Sequence, residues 1–315
     1  MFTFRRYTAA ERTLWDHFIK ASKNGTFLFL RDYMDYHQER FADASIIAAS
    51  ASGDIAAVFP ANIVAPRLVS HAGLSHGGMI VDSAMTLTRA MDLFGGWLDH
   101  CRAFGIGEIL YKTVPAIYHR LPAEEDRYAL FRYGAALYRR ESLSVVDLAA
   151  TVPLQERRRR GAKKAAKHGL GVTESGDIEA FWPILEANLL SQHGQRPVHT
   201  AAEMRLLRDR FPDNIKLFGV FGGAEMCAGS VLYLAGPAVH AQYIAASEFG
   251  REVGALDLLF TTLIEALRGQ ARYFDFGNSN EQEGRHLNRG LADFKEGFGA
   301  RTVVHDFYRL DLTQA

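Results

Sequence analysis

A few clusters of residues in this chain have types and spacings that can do chemistry. The first is Arg251-Glu252-Val253-Gly254-Ala255-Leu256, which follows the strand-like run His240–Ala246 and opens a helix at 254. Backbone N–H groups in a helix's first turn lack intrahelical partners, and the helix dipole adds positive potential there. A pyrophosphate fits such an entrance; the alternative is an ordinary glycine turn before a helix. The second cluster is Gln192–Thr200, a polar stretch between two helices holding His193, Arg196 and His199. Arg196 can clamp an anionic group through two parallel N–H bonds with His193 nearby, or the stretch is a plain connector with Thr200 as an N-cap. The third is Asp275 with Asn278-Ser279-Asn280 at the C-terminal end of a strand, where α/β folds often place working residues. There an Asx turn is the competing reading for Asp275. Tyr243, in the strand before the glycine turn, is a further candidate substrate contact. His71 and His76 stand among Gly73, Gly77 and Gly78, but a metal needs more ligands, so no metal site is expected.

These residues need a scaffold, and the chain shows one twice. Residues 87–112 and 254–276 each read as an apolar-periodic helix, a Gly break and a short aromatic-rich strand. Each is preceded by a Gly-containing turn, at 76–78 and 250–254, and each half closes on a strand ending in Asp-Leu, at 147–148 and 311–312. Aligning the closures sets Lys112 opposite Phe276. The strand 143–148 is expected to close the first lobe. Strand runs at 215–221, 226–234 and 238–246 joined by tight turns predict a meander in a mixed, largely antiparallel sheet flanked by helices. No GxGxxG follows an early strand, which excludes a dinucleotide-binding sheet.

The chain has 315 residues, 48% hydrophobic and 23% charged, which suits two ordinary α/β domains, taken as 1–150 and 151–315. With 36 basic and 36 acidic residues, net charge argues for neither a broad nucleic-acid surface nor an anionic membrane. Cys101 and Cys227 read as buried thiols of a reducing compartment. No signal peptide and no spanning helix is apparent, so a cytoplasmic protein, not an integral membrane one, is expected. The segment 155–168 is a very basic helix interrupted only by small residues. With almost no face to bury, it is either solvated or lines a phosphate-rich partner, such as a tRNA acceptor stem or a nucleotide-linked or lipid pyrophosphate.

Arg251-Glu252-Val253-Gly254-Ala255 resembles the acyl-CoA pyrophosphate loop of GCN5-related N-acetyltransferases (GNATs), with Leu256 where that family prefers Gly or Ala. Arg160–Gly169, Phe274-Asp275-Phe276-Gly277 and Phe294-Lys295-x-x-Phe298-Gly299 resemble elements of the double-lobed Fem-type aminoacyltransferases and the BioF2-like acetyltransferases. The resemblance covers most of residues 10–312. It implies two tandem GNAT-like lobes, an acceptor-side N-terminal lobe and a donor-binding C-terminal lobe. It implies an N-acyltransferase moving an acyl group from acyl-CoA, bound by Arg251–Ala255, to an amine of a small molecule or a cell-envelope or glycan precursor. The alternatives are a Fem-type enzyme using aminoacyl-tRNA on a peptidoglycan precursor, or a non-catalytic ligand-binding relative. On this reading Lys295 belongs to the acyl-transfer step, where a fixed ammonium can hold an oxyanion. Asp275 then serves as general base or orients the amine, and His193, Arg196, Tyr243, Asn278 and Ser279 meet substrate.

Overall fold

The computed structural model describes residues 2–150 and 152–313; the side chains of Gln192 and His193 lie outside that description, and with them the proposed role of His193. In chain order the first elements are β1 (Thr3–Arg6), α1 (Arg12–Ala21), α2 (Arg31–Met34), β2 (Ile46–Ala49), β3 (Ile55–Phe59), β4 (Asn62–Val64), β5 (Arg67–Val69), β6 (Ile80–Val81), α3 (Leu87–Ala103), β7 (Glu108–Lys112), α4 (Glu125–Arg132) and β8 (Ala136–Asp147). There follow α5 (Glu156–Lys167), β9 (Gly171–Ser175), α6 (Ile178–His193), α7 (Ala201–Arg210), β10 (Ile215–Gly222), β11 (Glu225–Ala235), β12 (Ala238–Ala246), α8 (Glu248–Val253), α9 (Ala255–Ala266), β13 (Tyr273–Asn278), β14 (Asn280–Glu281), β15 (His286–Leu287), α10 (Arg289–Glu296) and β16 (Arg301–Asp311). The fold is mixed α/β with two lobes. One compact unit holds the residues up to Glu141, Gln282–Arg285 and Val304 onward; the other holds Ser142–Glu281 and His286–Val303.

In the first unit, β5 and β7 run parallel, and β7 pairs antiparallel with the end of the chain, Asp311 opposite Glu108 and Phe307 opposite Lys112. Its core stacks Phe59 on Trp97 at 4.2 Å, with Phe94 and Tyr111 beside them. In the second unit, β10 to β12 form the expected meander, and β9 adds an antiparallel strand beside β10. Here β12 pairs parallel with β13 over only Ala238–His240 and Tyr273–Asp275, and the second half of β8 flanks β13 on its other side. Phe260, Phe274, Phe276 and Phe298 fill the centre, with ring centroids 4.8–5.9 Å apart among the contacting pairs.

One expectation is corrected. The strand 143–148 pairs with β13 in the second unit, and β16 takes the place beside β7 in the first. The two closing strands have similar sequences, so local pattern cannot say which sheet each completes; burial decides. Val146 and Leu148 enter the second core, and Leu310 and Leu312 enter the first. At about 1.5–3 kcal/mol for each fully buried aliphatic side chain, this placement is a substantial part of each unit's stability. The basic helix α5 is corrected as well. Ala162 and Ala165 are buried, and the Gly-Ala stripe packs on α9, so α5 has an apolar face of small residues. Among the described residues no helix is long and apolar enough to cross a membrane, and no group of three or more His, Cys, Asp or Glu is placed to hold a metal.

Candidate active site

The site is built where β12 and β13 part. A β-bulge lies at the divergence: Tyr243 pairs with Val231 and Ala241 with Leu232, leaving Gln242 as the extra residue. The last parallel pair is His240 with Asp275. Beyond it the edges of two strands present backbone groups with no ladder partner across the gap, a setting for an extended ligand.

Asp275 is 1% exposed. Its Oδ1 accepts the Gly277 N–H at 2.7 Å, and its Oδ2 lies 3.0 Å from His240 Nδ1. In the neutral imidazole that pairing holds the proton on Nδ1 and leaves Nε2 as the basic nitrogen. Gly277 has φ +74, and a Cβ there would lie 3.2 Å from His240 Cε1, so the glycine lets β13 pass close over the imidazole.

Lys295 stands in the last turn of α10, a helix capped by Asn288, whose Oδ1 accepts the Leu291 N–H at 3.0 Å. The lysine is 3% exposed. Its ammonium donates to the carbonyls of Gly277, at 3.1 Å, and of Asn278, which ties α10 to the end of β13 and leaves one N–H without an acceptor among the described residues. Burial lowers its pKa to about 8, and the Asp275 charge opposes that fall. Ser279 is buried, and its hydroxyl has no hydrogen-bond partner among the described residues.

Thus the fold gathers Lys295, Asp275, Asn278 and Ser279 at one strand end. It adds His240, which sequence reasoning missed; its signal was an imidazole inside a largely apolar strand. Tyr243 is buried, its pKa pushed up to about 12 by burial, and its hydroxyl lies 2.6 Å from His199 Nδ1. It therefore anchors the segment before α7. Arg196 in that segment is exposed.

The Arg251–Ala255 stretch is not an open loop. Residues 248–253 are helical, capped by the Ser247 hydroxyl, which accepts the Gly250 N–H at 3.1 Å. Arg251 Nη1 donates to Asn188 Oδ1 at 3.2 Å and to the Ala246 carbonyl at 3.1 Å. The Glu252 carbonyl accepts from Lys164 Nζ at 2.7 Å. Val253 and Ala255 are buried. Gly254, at φ +83, abuts α5 so closely that a Cβ would lie 2.8 Å from the Gly161 carbonyl oxygen. Asp257, in the first turn of α9, pairs with Arg158 at 2.7 Å and supplies a negative charge at the helix's positive end. The side of Gly254 toward which a Cβ would point is thus occupied by α5, while Arg251 and Glu252 are exposed.

Residues 155–296 match the acetyltransferase (GNAT) domain family. No curated protein matches the sequence. Among solved structures, the chain is similar to FemX, with TM-score 0.68 and 14% identity over 96% of each chain. It is similar to a C-terminal domain described as that of a lysylphosphatidylglycerol synthetase from Agrobacterium fabrum, with TM-score 0.63 and 13% identity over 96% of this chain and 92% of that one. A tandem GNAT protein from the clavulanic acid biosynthesis pathway aligns over 100% of both chains with TM-score 0.55 and 12% identity. Residues 155–296 thus match the GNAT domain family, and the whole chain has a double-lobed fold similar to those of FemX and the tandem GNAT protein.

Proposed function

We propose that this protein transfers an acyl or aminoacyl group from an activated carbonyl donor to an amine, at the parting of β12 and β13. The observation that carries this reading is the buried Lys295 ammonium, fixed by two carbonyls at the strand end with one N–H to spare. That N–H would stabilise the oxyanion formed when the amine attacks the carbonyl carbon. His240 Nε2 takes the proton the amine loses and returns it to the donor's sulfur or ester oxygen, which leaves as the oxyanion collapses and the carbonyl re-forms; Asp275 is a positioning residue that holds the imidazole. The attack is direct, with no covalent enzyme intermediate.

The donor we assign first is acyl-CoA, held along Arg251–Ala255, and the acceptor is an amine of a small molecule or a cell-envelope or glycan precursor. On this reading residues 1–150 serve the acceptor and 151–315 the donor. The buried thiols of Cys101 and Cys227 suit a cytoplasmic enzyme. A second reading, an aminoacyl-tRNA donor with a peptidoglycan precursor as acceptor, is favoured by two observations. One side of Gly254 is covered by α5, and Arg160, Lys163 and Lys167 on α5 are exposed.

The test is an amine panel incubated with acyl-CoA and, separately, with charged tRNA, the acylated product being read by mass spectrometry. Calorimetry with CoA reports the first donor. Filter retention of charged tRNA, abolished when Lys163, Lys164 and Lys167 are neutralised, reports the second. Lys295→Met is expected to slow the productive reaction by about 10²–10³-fold. The wild-type rate should fall as pH rises through about 8, where Lys295 loses its proton. An unchanged rate in Lys295→Met would defeat the mechanism, and turnover with neither donor would leave a non-catalytic binding protein.

A further inference from the structure

The first unit contains a cavity of about 380 Å³, within the range of small-molecule sites. It opens beyond the parallel pair β5–β7, and its walls include Leu74, Leu110, Phe307, Lys112, Arg139 and Glu141. The charges on these walls do not balance. Arg139 donates through Nε, at 3.0 Å, and Nη2 to the same oxygen of Glu141, which makes one neutral pair. Lys112 Nζ instead donates to two main-chain carbonyls, of His71 at 2.9 Å and of Leu74 at 2.5 Å. Those carbonyls orient the amine but supply no compensating negative charge, and the third N–H has no acceptor among the described residues. His71 adopts φ 41, an uncommon backbone conformation for a residue with a side chain, in the turn that offers the first carbonyl.

We propose that this cavity binds a small monocarboxylate, its hydrocarbon body against Leu74, Leu110 and Phe307 and its carboxylate on the third N–H of Lys112. A single negative charge balances the lysine, and Arg139 already neutralises Glu141. A doubly charged phosphate would face the Glu141 carboxylate with charge to spare. The titratable and charged groups around the lysine are Tyr138, Arg139 and Glu141 of β8 and His71 of the turn; Phe307, its register partner on β16, is apolar. Burial brings the Lys112 pKa down to about 7, and His71 is held neutral, near 3, chiefly by burial. A bound carboxylate raises the lysine's affinity for its proton, so binding at pH 8 takes a proton from solution. The inference is independent of the transfer reaction.

The test is isothermal titration of the full chain at pH 8 with butyrate, hexanoate, butyramide and inorganic phosphate, in two buffers of different ionisation enthalpy. Butyrate and hexanoate should bind with uptake of about one proton per ligand, and the uncharged amide at least about tenfold more weakly. Lys112→Met should abolish the uptake and weaken butyrate about tenfold or more. The wild-type buffer comparison needs no variant to fold. No binding of either carboxylate at tens of millimolar (about the weakest affinity worth assigning to a site), binding without proton uptake, or phosphate binding as tight as butyrate would each overturn the proposal.

Discussion

The contact between Gly161 and Gly254 can be measured through stability. Consider Gly254→Ala beside Gly169→Ala. Both glycines are left-handed, at φ +83 and +73, and both lie in the second unit. An alanine pays roughly 1–2 kcal/mol for that conformation. At Gly169 nothing lies within 4 Å of the new methyl, so strain is the whole effect. At Gly254 the methyl would sit 2.8 Å from the Gly161 carbonyl oxygen and 3.0 Å from its Cα, against backbone that cannot swing aside. Overpacking adds about 1–3 kcal/mol. In a unit of this size each kcal/mol moves the melting temperature about 2–4 °C. Gly169→Ala should therefore lower the melting temperature of the second unit by about 2–8 °C, and Gly254→Ala by at least about 2 °C more. Differential scanning calorimetry reads both on the same transition. Equal shifts would show that α5 does not press on Gly254.

Asp275→Asn tests the tautomer argument. The Gly277 N–H still needs an acceptor, so the Asn oxygen stays there and its NH₂ faces His240 Nδ1. The imidazole proton must then sit on Nε2, and kcat should drop about 10²–10⁴-fold with little change in the KM of the amine; an unaltered kcat removes His240 from the reaction. Asp126 in the first unit is buried and accepts the Tyr111 hydroxyl proton at 2.7 Å, and burial lifts its pKa to about 6. Because the folded pKa exceeds the unfolded one, the folded state holds the proton more tightly. The contribution is full below about pH 4 and is lost as pH rises through about 6, roughly 2–3 kcal/mol in all. Urea unfolding at pH 4.5 and pH 7 should show this slope, and Asp126→Asn should flatten it; a variant with the wild-type slope refutes the assignment.

Much of the local structure is legible in the residues alone. Thr200 with Glu203 forms the capping box that starts α7, Gly105 takes φ +74 after α3, and the Ser52-Gly53 turn joins β2 to β3. These are short-range signals, carried by hydrogen bonds and dihedral preferences within a few residues. The helix–Gly–strand echo likewise announced two similar lobes, and the Phe-Lys element singled out Lys295, whose place at a strand end only the fold showed. Tertiary structure alone decided the rest. Two closing strands of similar sequence entered opposite cores, since their Val and Leu side chains are satisfied by any apolar face and only the long-range packing chooses one. The register of one parallel pair set His240 against Asp275 across 35 residues, and a glycine in α5 met a glycine 93 positions later, closing a turn that reads as open in one dimension. A linear pattern specifies what a segment can bury, whereas the partner it buries against is settled when the whole core condenses.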